Sequence, residues 1–209
     1  LYVIALATAI KLTVDWIQER KRFQGLQEIQ LETELEFLKA QIQPHFFFNT
    51  LNNLYALTLQ KSQNAPEVVL KLSEIMEYIL YGAKEPKINL YNEVKYVQNY
   101  IDLEKLRYGN RVNVKISIDG DIESYSVPPL LFLPFIENCF KHGTKDNDNL
   151  QVHIKFEKTK DNLLIFTVSN NYNQFTNKIE DHGIGNKNVQ RRLELLFKDN
   201  YTLETTADK

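Results

Sequence analysis

The spacing of apolar residues changes once along this 209-residue chain, and the change limits what the chain can fold into. Up to Tyr81-Gly82 apolar positions recur at helical intervals, with Val69, Leu72, Ile75, Met76 and Ile79 forming one stripe. Further on, Val112, Val114, Ile116 and Ile118 alternate with polar residues, the two-residue period of a half-buried strand ending at Asp119-Gly120. A helical first part and a mixed second part predict an α+β protein.

Within the first part, Lys11 to Lys61 holds no proline or glycine except Gly25 and Pro44. Leu31, Leu35, Leu38 and Ile42 succeed one another at coiled-coil spacing between Glu32, Glu34, Glu36 and Lys39. Ser62 to Pro66 predicts a turn into a second helix, so the two helices make a hairpin and a dimer of hairpins makes a four-helix bundle. Pro86 to Leu90 predicts an extended link between domains. Val94 to Leu106 then predicts a helix, and Pro128-Pro129 opens another containing Leu130 to His142. Gln151 to Lys158 and Leu163 to Ser169 predict paired strands. Next come a helix from about Lys187 to Phe197 and a strand starting at Tyr201. The expected second domain is an α/β sandwich of antiparallel strands with helices on one face.

Composition narrows the function. A net charge of −2 argues against a nucleic-acid binder that relies on a basic field. A single cysteine, Cys139, excludes a disulfide framework, and the four histidines lack metal-ligand spacing. Leu1 to Ile10 is apolar but too short for a bilayer, which needs roughly 20 residues. With Glu19-Arg20-Lys21-Arg22 behind it, the run reads as the cut end of a transmembrane helix at its cytoplasmic edge; the alternative is an ordinary buried helix end.

The most unusual segment is Gln41 to Asn53. At about 100° per residue, His45, Asn49, Asn52 and Asn53 share a polar arc, while Phe47, Leu51, Leu54 and Thr58 lie opposite beside Phe48 and Tyr55. Packing is expected to bury the aromatics and present one imidazole to solvent, with Pro44 kinking or loosening the helix before it. A neutral imidazole nitrogen can accept a phosphoryl group; the plainer alternative is a histidine capping a core.

A second constellation ends an apolar helix, where Glu137, Asn138, Lys141 and His142 can converge before Gly143. An amide oxygen suits Mg²⁺, and Lys with His suits phosphate; equally, Lys and His complement a helix C-terminus that Gly143 caps. Gly183-Ile184-Gly185 before a helix is a weak phosphate signal, and no P-loop or dinucleotide glycine motif is present.

Together these pieces resemble the LytS-like family of bacterial sensor histidine kinases, over about Leu35 to Leu203. Gln43-Pro44-His45-Phe46 with Phe48-Asn49 and Leu51-Asn52 is similar to that family's phosphoacceptor box. Pro128-Pro129-Leu130, Pro134, Glu137-Asn138 and Lys141-His142-Gly143 are similar to its asparagine box, and Gly183-Ile184-Gly185, Asn188, Arg192 and Leu193 to its second glycine box and adjoining helix. The resemblance implies a membrane-proximal helix over 1–25, a dimerising phosphotransfer hairpin over 26–82 and a Bergerat-type ATP-binding domain over 87–209. It implies that His45 is phosphorylated, that Asn138 ligates Mg²⁺, and that Lys141 and His142 lie near the phosphates. Gly183 and Gly185 would shape an ATP lid, with Asn170, Asn188 and Arg192 also lining the nucleotide site. No acid comes directly after His45, so a base must come from elsewhere, and Glu137 is the candidate because it flanks the asparagine implied to hold Mg²⁺. The implied partners are a second copy of the chain and the receiver aspartate of a response regulator, in a membrane-anchored bacterial protein whose cytoplasmic portion this is.

Three departures stand against that pattern. Asn170-Asn171-Tyr172-Asn173-Gln174 replaces an Asp-Asn-Gly-x-Gly adenine box, Asn186 replaces a leucine, and the chain stops before an expected closing strand. Asn170 can still accept a hydrogen bond from an adenine amino group, without a carboxylate's charge. The departures keep open a dimeric scaffold that binds ATP poorly, and a Bergerat-type ATPase without phosphohistidine.

Overall fold

A computed structural model describes residues 11–23, 26, 30, 44–143, 149–159, 161, 163–171, 184–198 and 200–206, without the side chains of 44, 142–143 and 184–188. The predicted seam from Leu31 to Ile42 and the run from Leu1 to Ile10 lie outside the described residues. The chain divides into two compact units, residues 1–42 with 192–209 and residues 43–191. In the first, residues 11–23 form helix α1, whose residues are all exposed; Arg20 lies over the Trp16 ring. No helix among the described residues is long and apolar enough to cross a membrane.

The second unit begins with α2 (Pro44–Leu59) and α3 (Ala65–Leu80), joined by a five-residue turn and packed together. Pro44 is the first described residue of α2, so the kink or loosening expected before it lies outside the described residues. After a single 3-10 turn, β1 (Ile88–Asn89) leads into α4 (Leu90–Tyr108). Asn89 caps α4 through its side-chain oxygen, which accepts the Tyr91 N–H at 2.8 Å. The Pro86–Leu90 link is thus partly a strand, because β1 pairs antiparallel with β3 (Ser126–Val127).

Among the described residues the main sheet is three-stranded, in the order β2 (Val112–Asp119), β4 (Leu150–Lys158), β5 (Leu164–Asn170). β4 and β5 are antiparallel as expected, with Phe156 opposite Phe166. β2 and β4 are parallel, which alternation along one strand cannot reveal, and Val112 pairs with Leu150. A parallel pair needs a long crossover; here the crossover contains β3 and α5 (Leu133–Gly143).

α4 packs on β2, and α5 packs on β4 and β5. Leu150, Val152, Ile154 and Phe156 point into that layer with Val112 and Val114, against Val94, Val97 and Ile101 of α4 and Leu133, Ile136 and Phe140 of α5. Phe166 completes the core, 4.6 Å from Phe132 and 5.1 Å from Phe156 between ring centroids.

Two sequence expectations give way here. α5 starts at Leu133 rather than Leu130, because Leu130 adopts φ +56 and cannot be helical. Residues 201–206 are irregular rather than a strand. α6 (Ile184–Phe197) starts earlier than the predicted Lys187 and crosses the division between the units.

Candidate functional site

His45 lies in the first turn of α2 and is exposed. Asn49, one turn on, brings its Nδ2 to 3.1 Å from Nδ1 and 3.3 Å from Nε2. As placed, the amide Nδ2 donates to the ring, and donation to Nδ1 leaves the proton on Nε2; with the amide turned over, Oδ1 would accept from Nδ1–H and leave the Nε2 lone pair free. The expected burial of the other aromatics is not observed. Phe46 is the buried ring, whereas Phe48, Leu51 and Tyr55 are at least half exposed.

Phe46 packs on Tyr100 of α4, with ring centroids 4.7 Å apart, and Tyr100 meets Phe140 of α5 at 6.1 Å. An aromatic path thus runs from the residue after His45 to the helix that carries Glu137, Asn138 and Lys141.

On α5, Glu137 and Asn138 are half-buried and Lys141 is exposed one turn later. Burial, reinforced by the Glu104 charge and opposed by Lys141, pushes the Glu137 carboxyl up to about 8. Burial also pushes Glu104 up to about 7 against the pull of Arg107, whose Nη1 is 3.0 Å from Glu104 Oε1. The other oxygen, Oε2, is buried with no hydrogen-bond partner among the described residues. Cys139 is buried and its thiol is pushed up to about 12, which removes it from chemistry at neutral pH.

The donors fit a nucleotide with its metal. No group of three or more His, Cys, Asp or Glu among the described residues could hold a metal ion. Mg²⁺ needs no such cage, since it takes one or two protein oxygens and completes its shell with phosphates and water. The Asn138 carboxamide offers such an oxygen, and the exposed Lys141 ammonium, three residues further on the same helix, suits the phosphates.

The remaining expected residues are spread out. Asn170 ends β5, half-buried, and donates to the Asn171 carbonyl at 3.2 Å. Asn171 is structural: its side chain accepts the Gln151 N–H at 2.7 Å and donates to the Asn149 carbonyl at 2.8 Å, pinning the start of β4. Gly185 and Asn188 lie in the first turns of α6, whose side chains there are not described. Gly183, residues 172–174 and the side chain of His142 fall outside the described residues. Arg192, in the other compact unit, is 4% exposed.

Sequence reasoning missed Glu93. It is fully buried, and its carboxylate accepts the N–H groups of Leu130 at 2.9 Å, Leu131 at 2.8 Å and Phe132 at 3.4 Å, together with the Tyr78 hydroxyl. The available signal was an acid inside the apolar stripe Leu90, Val94, Val97 and Ile101. Such an acid must find donors once buried.

Residues 33–112 match the histidine kinase family model. Over 189 residues, 85% of this chain and 32% of the relative, the chain is 32% identical to the sensor protein LytS of Staphylococcus saprophyticus. Over 162 residues, 76% of this chain and 27% of the relative, it is 32% identical to the sensor histidine kinase/phosphatase LytS of Staphylococcus aureus strain MRSA252. The chain belongs to the LytS-like family of histidine kinases. It spans about a third or less of the length of these curated relatives.

Proposed function

We propose that this chain is the kinase portion of a two-component sensor, which phosphorylates His45 from ATP and passes the phosphoryl group to an aspartate of a response regulator. The observation that carries the reading is the exposed His45 ring on a helix whose next residue, Phe46, is anchored through Tyr100 to the Asn138 helix. His45 Nε2 attacks the γ-phosphorus in line; the N–P bond forms as the bond to the β,γ-bridging oxygen breaks and ADP leaves. The Nδ1 proton then passes to a base, for which Glu137 is the candidate on α5. Asn138 would hold the metal that accompanies ATP and Lys141 would meet the phosphates; bound Mg²⁺ would supply charge neutralisation on the phosphate oxygens.

The exposed Phe48, Leu51, Tyr55 and Leu59 of α2 and Val69, Leu70, Met76 and Leu80 of α3 form the face that a second copy covers in the dimer. On this reading residues 26–82 are the phosphotransfer hairpin, 87–209 the Bergerat-type ATP-binding domain and 1–25 the link to a membrane anchor. Incubation with γ-labelled ATP and Mg²⁺ tests the function. Acid-labile, base-stable label that moves onto a receiver domain supports it; ATP hydrolysis without protein label contradicts it and favours the ATPase alternative.

A further inference from the structure

Glu93 is a carboxylate with no exposed surface on a helix stripe that otherwise buries hydrocarbon. Burying such a charge is strongly unfavourable unless donors surround it. Three of its donors are consecutive backbone N–H groups, Leu130, Leu131 and Phe132, in the turn that leads into α5. That turn is held in an uncommon shape, with Leu130 at φ +56. α5 begins at the next residue, Leu133, and Asn138 lies five residues further, about 7.5 Å along the axis at helical rise. A carboxylate gripping the N–H groups at a helix start also complements the helix dipole, and it fixes both the height and the rotation of that helix.

A fourth donor comes from the hairpin. The Tyr78 hydroxyl of α3 donates to Glu93 Oε2, the oxygen that also accepts from Leu130. Its ring is stacked 4.4 Å from Tyr96 of α4, which aims the hydroxyl. Burial and the Glu93 charge both push the Tyr78 phenol far up, so it remains a donor at every physiological pH.

We propose that Glu93 is a positioning residue for phosphoryl transfer, setting α5 and hence Asn138, and that the Tyr78 hydroxyl ties this anchor to helix α3. Any displacement of α3 changes the donor set of Glu93 and is felt at the nucleotide helix, which makes the hairpin and the nucleotide site thermodynamically coupled. This inference rests on the reading of Asn138 as a nucleotide-site residue.

The test uses the 209-residue chain with Mg-ATP, and compares Glu93→Gln, Tyr78→Phe, the double variant and Asn138→Ala. In Glu93→Gln an amide replaces one acceptor oxygen with a donor facing backbone N–H groups. KM for ATP and Kd for a fluorescent ATP analogue should rise at least fivefold, with kcat within twofold. Tyr78→Phe should raise both about threefold, and the double variant should be no worse than Glu93→Gln alone within twofold, because the two groups act as one unit. A purely structural role would lower the active fraction, and therefore apparent kcat, at unchanged KM.

Unchanged KM and Kd in both variants overturn the proposal while leaving the nucleotide reading intact. If Glu93→Gln does not fold cooperatively, Tyr78→Phe decides alone. Nucleotide binding that survives Asn138→Ala overturns the reading of that site, and the positioning role with it.

Discussion

Phe46 packs against Tyr100 with ring centroids 4.7 Å apart, so the residue after the exposed His45 is pinned to α4. The two neighbours differ in exposure on one helix turn: Phe46 is 6% exposed, whereas His45 is exposed. Truncation of a well-packed aromatic removes about 3 kcal/mol or more. Phe46→Ala is therefore expected to lower the unfolding free energy in urea by that amount, and Phe46→Leu by about half. A change below about 0.5 kcal/mol for Phe46→Ala would show that the ring contact does not hold α2 to α4.

Asn49 sets the orientation of the imidazole through one side-chain contact. Asn49→Ala is expected to slow His45 phosphorylation about tenfold at saturating ATP while leaving nucleotide affinity unchanged, since proton and orientation control of this kind contributes about that much or more. Rapid-quench labelling of both proteins checks it; equal rates would remove the amide from the mechanism.

Glu137 and Glu104, raised to about 8 and about 7, make stability depend on pH. Both carboxyls bind their protons more tightly folded than unfolded, so their stabilisation is complete below the ordinary carboxylate range and is lost as pH rises through 7 to 8. Thermal midpoints should fall between about pH 5 and pH 9, by the equivalent of about 1–3 kcal/mol. Glu137→Gln should flatten the upper part of that decline. If Glu137 is the base, labelling should rise with pH around 8 in the parent and not in the variant.

Gly120 turns the chain at the end of β2 with φ +88, and a Cβ there would lie 2.8 Å from the Lys158 carbonyl oxygen. Gly120→Ala meets both a conformational penalty and a backbone clash, so a loss of about 2 kcal/mol or more is expected in denaturant unfolding. Gly109, with φ +60 and open space around it, should cost less on the same change.

What could be read in the sequence depended on how local the cause was. The helix stripe of Val69 to Ile79 and the alternation of Val112 to Ile118 are local patterns, and both produced the expected elements, although Val69, Met76 and Ile118 are exposed in this chain. The parallel pairing of β2 with β4 depends on residues far apart in the chain, such as Val112 and Leu150, and no local pattern encodes it. Leu130 looked helical because its neighbours are apolar, yet the long-range Glu93 contacts hold it at positive φ. At the candidate site, the exposure of His45 and the placing of Glu137, Asn138 and Lys141 on one helix came from spacing alone. The choice of Phe46 as the buried ring did not, because it is decided by Tyr100 on another helix.

Transfer of the phosphoryl group to His45 is the central claim. Labelling with γ-labelled ATP and Mg²⁺, then peptide mapping, should place acid-labile phosphate on the peptide containing His45 and show none in His45→Gln. Equal labelling of His45→Gln, or label mapped to another residue, would contradict it.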